Sequence, residues 1–394
     1  MSAWSYVVPH GQFSTRGACL LTFMTGLRVG AIYISRMTTA IAAAALSLLP
    51  LGQPLLLGST TALATAAVVL STQAADAQSA AFFINRGRAK FKNGDYQGAL
   101  ADLNKAIEIN PQDANTLTSR SGAKLNLGDN RGALNDANRS IEINPKDSIA
   151  YSNRGIAKNN LKDYQGAIAD FTKAIEINPQ YARAYFNRGI SKIKSGDTQG
   201  AITDWGKAIG INPQYADAYS NRGNAKSDLK DYQGAIADYS KAIEINPQYA
   251  IAYSNRGVAK SDLQDYQGAI SDYNKAIEIN PQYAIAYNNR GNAKVKSGDT
   301  QGAIADYGKA IAINPQYALA YYSRGIAKSK LKEFQGAITD YTMAIEINPQ
   351  YANAYVNRGI DRELANDLEG ACDDWRKAVD LGKERPAEWM KKQC

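Results

Sequence analysis

The apolar positions of this chain follow a helical spacing that recurs along most of its length. Ala99, Leu100, Leu103, Ala106 and Ile107 are separated by one to three positions in a 3–4 pattern, which is the spacing of one face of an amphipathic helix. Equivalent stretches return every 34 residues, and each lies in a unit long enough for two helices. The pattern therefore predicts a tandem array of two-helix units.

An Asn-Pro pair marks the length of the repeat. After Asn110-Pro111, the same proline returns every 34 residues, at Pro145, Pro179, Pro213, Pro247, Pro281, Pro315 and Pro349. With this proline at position 32, nine units begin at Ala80, Ala114, Ser148, Ala182, Ala216, Ala250, Ala284, Ala318 and Ala352. The ninth unit has Gly382-Lys383 in place of Asn-Pro, as expected of a terminal repeat. Positions below are numbered within these units.

Capping residues predict where the two helices of each unit begin. We expect the Asn of Asn-Pro to be the N-cap of the first helix, with Pro at its first position. An acidic residue at position 16 is expected to cap the second helix, where it also faces the positive end of the helix dipole. These residues are Asp95, Asp129, Asp163, Asp197, Asp231, Asp265, Asp299, Glu333 and Asp367.

Small and aromatic residues also recur at fixed positions. Position 8 is Gly in eight units, with Ser121 as the exception, and positions 19 and 20 are Gly-Ala in all nine. Aromatic residues recur at positions 4 and 24. Because a glycine inside a helix costs about 1 kcal/mol relative to alanine, we expect a neighbouring backbone or ring to occupy the space beside position 8.

Together, these features resemble the tetratricopeptide repeat (TPR) family over about Ala80 to Arg385. The resemblance implies an all-α fold, an α-α superhelical solenoid of tandem helix-turn-helix TPR units, whose first helices line a groove. It also implies a non-catalytic scaffold for protein–protein interaction. We therefore expect the groove to bind a protein or an extended peptide. Arg at position 7 and mostly Lys at position 11 depart from the family pattern, which usually has apolar or aromatic residues there.

Composition bears on the classes of function that remain. The only histidine, His10, lies near the N-terminus and no Cys-x-x-Cys pair occurs, so we expect no catalytic residues, no metal and no cofactor. After residue 77 the chain has 42 basic and 36 acidic residues, a balance that does not favour nucleic acid as a partner. Two alternatives remain open: a substrate-recruiting subunit of an enzyme complex, and an RNA-binding helical repeat.

The candidate binding residues lie on the first helices. Position 6 is asparagine in seven units: Asn85, Asn153, Asn187, Asn221, Asn255, Asn289 and Asn357. Positions 2, 6, 9 and 13 share one helix face, which we call the first-helix face, and an amide can both donate and accept hydrogen bonds to a peptide backbone. Phe186, Ile190, Asn224 and Tyr322 are expected to line the same groove. The alternative is that the asparagines only bond the neighbouring helix and keep the array in register.

Charged residues at positions 7 and 23 predict ion pairs. Position 7 is Arg and position 23 is Asp in all nine units, from Arg86 and Asp102 to Arg358 and Asp374. In antiparallel helices these positions lie at similar levels, so we expect a bidentate pair in each unit. The alternative is a row of arginines that binds anions.

Residues 1–77 have the pattern of an export signal or an uncleaved membrane anchor. Arg28 and Arg36 precede an uncharged stretch that ends at Ala75-Asp76-Ala77, which has small residues where a signal peptidase reads. The stretch is also long enough to span a bilayer. Both alternatives place the repeats outside the cytoplasm, in a periplasm, a lumen or the extracellular space, with a membrane tether in the second. Translation could begin at Met1, Met24 or Met37.

Residues 386–394 are expected to form a capping helix with Trp389 against the last repeat. Cys372 takes a position that is Ile or Leu in other units, and Cys394 is the last residue printed. Two alternatives remain: a bridge between them, as an oxidising compartment would allow, or two free thiols. Their Cα separation decides, because a bridge needs less than about 7 Å.

Overall fold

The computed structural model describes residues 57–394. In this part of the chain there are 19 α-helices and no strand, as the all-α prediction requires. The described residues fall into two compact units, one that ends at Asp163 and one that begins at Tyr164. The first contains α1 (Leu57–Lys92), α2 (Tyr96–Ile109), α3 (Ala114–Asn126), α4 (Asn130–Ile143) and α5 (Ser148–Asn160).

The unit from Tyr164 to Cys394 continues the same alternation of helices. It contains α6 (Tyr164–Ile177), α7 (Ala182–Lys194), α8 (Thr198–Ile211), α9 (Ala216–Asp228), α10 (Tyr232–Ile245), α11 (Ala250–Asp262), α12 (Tyr266–Ile279), α13 (Ala284–Lys296), α14 (Thr300–Ile313), α15 (Ala318–Lys330), α16 (Phe334–Ile347), α17 (Ala352–Leu364), α18 (Leu368–Asp380) and α19 (Arg385–Gln393). From α3 onward, the first helices begin at position 1 of the predicted units, and the second helices begin at position 17.

The first helix of the first unit differs from the others. α1 begins at Leu57, passes through Ala75-Asp76-Ala77 without interruption and ends at Lys92. Within the described residues, no helix is long and apolar enough to serve as a membrane span. The start codons Met1, Met24 and Met37 and the arginines that precede the uncharged stretch lie outside the described residues.

The prediction for the Asn-Pro pair is wrong. Asn110 is the C-cap of α2 and not the N-cap of α3, which begins at Ala114. The side chain of Asn110 accepts a hydrogen bond from the backbone N–H of Gln112, and the N–H of Asp113 donates to the Asn110 carbonyl. Proline therefore occupies the second residue of a turn, where its fixed φ is favourable and no N–H is required. The same turn follows Asn178, Asn212, Asn246, Asn280, Asn314 and Asn348.

The prediction for the acidic caps is confirmed in most units. Asp95 accepts a hydrogen bond from the N–H of Gly98, and Asp129, Asp197, Asp231, Asp265, Asp299 and Asp367 cap their helices in the same way. Glu333 makes no side-chain cap bond. A Cβ at Gly98 would lie in contact with the Asp95 carboxylate. Glycine at position 19 is thus required by the cap rather than by a neighbouring helix.

From the third repeat onward, the core of each unit is built from alanines and one large ring. Alanines at positions 3, 10, 20 and 27 are almost all fully buried, and position 24 carries Phe171, Trp205, Tyr239, Tyr273, Tyr307, Tyr341 or Trp375. A Cβ at Gly223 would lie 2.8 Å from the Tyr239 ring. The prediction that a ring occupies the space beside position 8 is therefore confirmed. In the second repeat, position 24 is the small Ala137, and Ser121 fits where glycine is otherwise needed.

Candidate functional site

In eight repeats, the arginine at position 7 forms an ion pair with the aspartate at position 23 of the same repeat. Arg222 donates from Nε to Asp238 Oδ2 at 2.9 Å and from Nη2 to Oδ1 at 2.6 Å. Arg86, Arg120, Arg188, Arg256, Arg290, Arg324 and Arg358 make the same bidentate pair with Asp102, Asp136, Asp204, Asp272, Asp306, Asp340 and Asp374. The predicted ion pair is confirmed in these eight repeats.

A second cation, which the sequence analysis missed, joins the same aspartate. The Nζ of Lys226 at position 11 lies 2.8 Å from Asp238 Oδ2. Lys90, Lys124, Lys192, Lys260, Lys294 and Lys328 bind their aspartates in the same way, and Arg362 does so in the ninth repeat. The spacing in the sequence could have indicated this second ion pair, because positions 7 and 11 lie one turn apart on the same helix face.

The guanidinium groups also link neighbouring repeats. Arg256 Nη1 donates to Ser240 Oγ at position 25 of the preceding repeat, at 3.0 Å, and equivalent bonds join Arg120 to Asn104, Arg154 to Asn138, Arg188 to Thr172, Arg290 to Asn274 and Arg358 to Thr342. Except in the second repeat, where position 4 is Leu117, the guanidinium also lies over the aromatic ring at position 4, as Arg256 does over Tyr253 at 5.5 Å. These arginines are therefore engaged within the array rather than presented to an anionic ligand.

The ion pairs affect titration in the first repeat. Hydrogen bonds from Arg86, reinforced by Lys90, lower the pKa of the Asp102 carboxyl to about 2, although burial opposes this shift. In the eighth repeat, burial raises the pKa of Tyr341, the aromatic residue at position 24, above its usual range. The nearby Asp361 carboxylate raises this pKa further. Among the described residues, no cluster of histidine, cysteine, aspartate or glutamate could hold a metal ion.

The asparagines at position 6 do not share one environment. The amide nitrogen of Asn153 donates to the Thr118 carbonyl at 3.0 Å, and that of Asn255 donates to Asn224 Oδ1 at 2.8 Å. The nitrogen of Asn357 donates to the Tyr322 hydroxyl at 3.1 Å. In these three repeats the asparagine bonds the first helix of the preceding repeat. This is the contact that the register alternative requires, and it leaves the carbonyl oxygen of each amide for other partners.

The four remaining asparagines range from exposed to fully buried. Asn85 is exposed and Asn289 is half-buried, where it accepts from Asn288. Asn187 and Asn221 are 8% and 0% exposed. The amide nitrogen of Asn187 has no hydrogen-bond partner among the described residues. Contact with a ligand stays a prediction for this row, in which Asn85 is exposed and Asn153, Asn289 and Asn357 are half-buried.

Three residues expected to line the groove are buried instead. Phe186, Ile190 and Asn224 are 0%, 4% and 0% exposed. Phe186 stacks on Tyr215 at 4.7 Å between ring centroids, and Asn224 accepts from the Tyr239 hydroxyl at 2.7 Å. A ligand would reach these side chains only if neighbouring helices separated. They are core residues in this structure, and we remove them from the candidate contact set.

Tyr322, at position 5 of its unit, lies beside the first-helix face and stays in the candidate contact set. It is half-buried, and its ring packs against Tyr351 at 4.7 Å between centroids. Nearby positions of the same face expose large apolar side chains: Ile285 and Leu319 at position 2 are each 43% exposed, and Ile326 at position 9 is 39% exposed. The first helices α13 and α15 therefore present apolar groups beside amide and hydroxyl groups.

The C-terminal residues form a short helix that packs on the ninth repeat. The Trp389 ring lies 5.4 Å from that of Trp375, and Pro386 is buried. Cys372 and Cys394 are joined by a disulfide with a Cα–Cα distance of 5.9 Å, within the range that a bridge requires. Of the two alternatives for this cysteine pair, the structure contains the bridge.

Models of known repeat families match long stretches of the chain. Family models described as "Tetratricopeptide repeat" match residues 80–113, 148–181, 216–249 and 318–351, and residues 171–203. A model described as "TPR repeat" matches residues 191–230, 261–298 and 291–332. Together these matches cover more than half of the chain. No curated protein matches it.

One of the similar solved structures has the same fold. A chain of the APC/C hetero-tetramer Cut9-Hcn1 is 18% identical with a TM-score of 0.51, over 68% of this chain and 52% of that one, so this chain spans about half of its length. A tetratricopeptide repeat protein from Parabacteroides merdae is 22% identical with a TM-score of 0.49, over 66% and 99% of the two chains. YrrB, described as a TPR protein with an unusual peptide-binding site, is 24% identical with a TM-score of 0.41, over 48% and 97%.

Proposed function

This chain belongs to the tetratricopeptide repeat family, and from that premise we propose that it is a non-catalytic scaffold that binds a protein or an extended peptide along its first-helix face. The observation that carries the proposal is the exposure of Ile285, Leu319 and Ile326 on that face. These apolar groups stand beside amides such as Asn289. An extended segment could bury its apolar side chains there while its backbone bonds the amides.

The charges of the array support a protein rather than a nucleic acid as partner. Arginines at position 7 and lysines at position 11 are the most regular basic residues of the chain, and Asp238 and its equivalents hold both of them. Phosphate binding would require these cations to be available. The next most regular basic position, 26, is mostly exposed, and its Lys173, Lys241 and Lys275 each pair with a glutamate three residues further along the helix. Internal pairing therefore neutralises much of the positive charge that a polyanion would need.

The scaffold acts outside the cytoplasm. Two observations support this part of the proposal: the signal-like pattern that ends at Ala75-Asp76-Ala77, and the bridge between Cys372 and Cys394, since structural disulfides persist in oxidising compartments. N-terminal sequencing of the protein isolated from its native cells tests this localisation. A product that begins at Met1 and is recovered from the cytosol would contradict it.

Crosslinking with mass spectrometry in the native compartment tests the binding role. The variant carries Ile285→Glu, Leu319→Glu and Ile326→Glu, which place three charges on the first-helix face at side chains that are 43%, 43% and 39% exposed. We expect at least a tenfold loss of crosslinked partners, because carboxylates would have to be desolvated at an apolar interface.

A matched control separates the first-helix face from general surface charge. Leu229, Leu263 and Leu331 lie at position 14, off that face, and are 53%, 40% and 40% exposed. Their triple change to Glu adds the same charge at comparable exposure, and we expect it to retain the partners. Equal losses in both triple variants, or none in either, would contradict binding at the first-helix face.

A further inference from the structure

One buried aspartate breaks the pattern of the array. Position 10 is alanine in seven units and Ser191 in one, but it is Asp361 in the ninth. The Asp361 residue is only 1% exposed. Its Oδ1 accepts a hydrogen bond from Ser329 Oγ at 2.7 Å, and its Oδ2 has no hydrogen-bond partner among the described residues. A fully buried carboxylate with a vacant oxygen is costly, so its presence requires an explanation.

The other buried aspartates show what this chain does with such a group. The position 23 aspartates are 2 to 4% exposed, and in eight repeats the carboxylate binds two cations. Asp374, in the same repeat as Asp361, is held by Arg358 and Arg362. Asp361 is equally buried and forms no such pair. A cation from outside the described chain would complete it.

Asp361 is one of the residues that line a cavity on this side of the ninth repeat. The cavity has a volume of about 160 Å³ and is lined by Ile326, Ser329, Tyr341, Asn357, Ile360 and Asp361. Ile326 is 39% exposed, so the cavity reaches the surface of the first helices. Two isoleucines and a tyrosine ring provide apolar walls. Two groups provide hydrogen-bond acceptors: the Asp361 carboxylate and the amide oxygen of Asn357. The amide nitrogen of Asn357 already donates to Tyr322.

We infer that this cavity binds the side chain of a lysine from an extended peptide that lies on the first-helix face, with the ammonium group on Asp361. The inference rests on the proposed scaffold function and adds a specificity to it. Lysine has an apolar stem that suits the walls formed by Ile326 and Ile360, and a compact head with three donors. An arginine binds most strongly when both carboxylate oxygens accept from its planar head, and Oδ1 of Asp361 already uses one lone pair on Ser329.

The ionisation of Asp361 couples binding to pH. Burial raises the pKa of the Asp361 carboxyl, against the hydrogen bond from Ser329. The titratable groups nearby are Tyr341 and Tyr322, whose pKa values are raised by burial, and Asp340, which Arg324 and Lys328 hold. Below this raised pKa the Asp361 carboxyl is protonated and neutral, so it no longer attracts the ammonium group of a lysine. Affinity for lysine should therefore increase as pH rises through the pKa of free Asp361.

Methyl NMR of the full chain tests the inference directly, because the Ile326 and Ile360 methyl groups report on the cavity. The probe is N-acetyl-lysine methylamide, compared with the norleucine and arginine derivatives. We expect the lysine derivative to shift both methyl signals, with at least tenfold weaker binding for arginine and none for norleucine. Equal shifts from norleucine would overturn the inference, because norleucine has the stem without the charge.

The variant Asp361→Ala restores the residue that most other units carry. We expect it to fold with equal or higher thermal stability and to lose at least tenfold in affinity for the lysine derivative. Asp361→Asn keeps the shape and removes the charge, and we expect the same loss. Retained affinity in either variant would overturn the inference, as would a fall in stability of Asp361→Ala, which would indicate a structural role.

A further arm identifies the source of the ammonium group. Binding of n-butylamine without binding of the lysine derivative would overturn the assignment to a peptide side chain. The outcome is separable from the proposed function. Loss of partners in the first-helix-face variant, together with unchanged lysine binding in Asp361→Ala, would leave the scaffold standing and remove only the lysine site.

Discussion

At the scale of single residues, the turn between the two helices of each repeat depends on position 15. The backbone there is left-handed wherever the repeat turns, with φ of 92° at Gly196, 63° at Lys230, 65° at Gln264 and 65° at Lys332. Glycine adopts this conformation without a steric penalty, whereas a side chain costs about 1–2 kcal/mol. Repeats with Lys or Gln at position 15 therefore carry a strain that repeats with Gly do not.

This strain predicts a stabilising substitution. Lys230→Gly should raise the free energy of unfolding by up to about 1 kcal/mol, because relief of the left-handed strain outweighs the extra freedom of glycine in the unfolded chain. Urea denaturation measures the change. Asn366→Gly is the control, since asparagine tolerates the same conformation better, and we expect a smaller gain there. A lower midpoint for Lys230→Gly would contradict the argument.

At the scale of the helix pair, the contact between position 8 and position 24 fixes how closely two helices approach. Gly223 on α9 lies against the fully buried ring of Tyr239 on α10. The ring fills the space that a side chain would take, and its hydroxyl donates to Asn224. The ring is thus held at both its face and its tip, so it has little room to move.

This contact predicts that Gly223→Ala destabilises the chain by about 1–3 kcal/mol through overpacking, despite the higher helix propensity of alanine. Thermal denaturation reads the loss. Gly210 on α8 is the matched control, because a Cβ there would have no neighbour within 4 Å, and Gly210→Ala should stabilise by up to about 1 kcal/mol. Stabilisation by both substitutions would show that the Tyr239 ring can yield.

At the scale of the whole molecule, neighbouring repeats are joined by a small set of contacts that recur. The arginine at position 7 joins its own aspartate to position 25 of the preceding repeat, as Arg256 does with Ser240. Where position 25 is Gly206 or Gly308, the guanidinium faces a glycine and has no side chain to bond there. The last repeat has no following neighbour in the described chain, and α19 and the disulfide cover it.

The disulfide should stabilise this end of the chain only. Replacing Cys372 and Cys394 by serine removes a bridge between residues 22 positions apart, which contributes about 3 kcal/mol in the loop-entropy account. Because each repeat contacts only its neighbours, hydrogen exchange should increase in α18 and α19 and stay unchanged in α10 and α11. An equal increase along the chain, or none in α19, would contradict this view.

The period, the helix pairs and the ion pairs could all be predicted from the amino-acid sequence. A proline every 34 residues and apolar spacing of three to four are local signals, and paired arginine and aspartate in every unit need partners wherever they are buried. The acidic caps were also predictable, because an N-cap bond joins residues three apart, such as Asp95 and Gly98.

The accessibility of polar and apolar groups on the first helices depends on how neighbouring helices pack, which the sequence does not show. Phe186, Ile190 and Asn224 have the spacing of groove residues, but the rings of neighbouring helices cover them, and sequence spacing does not record that burial. The sequence predicts that the Asn-Pro pair begins a helix, whereas the backbone geometry shows that its asparagine ends the preceding helix. In the sequence, Asp361 is visible only as a departure from the alanine that most units have at position 10. Its burial, its vacant oxygen and its cavity exist only because α15, α16 and α17 pack around it.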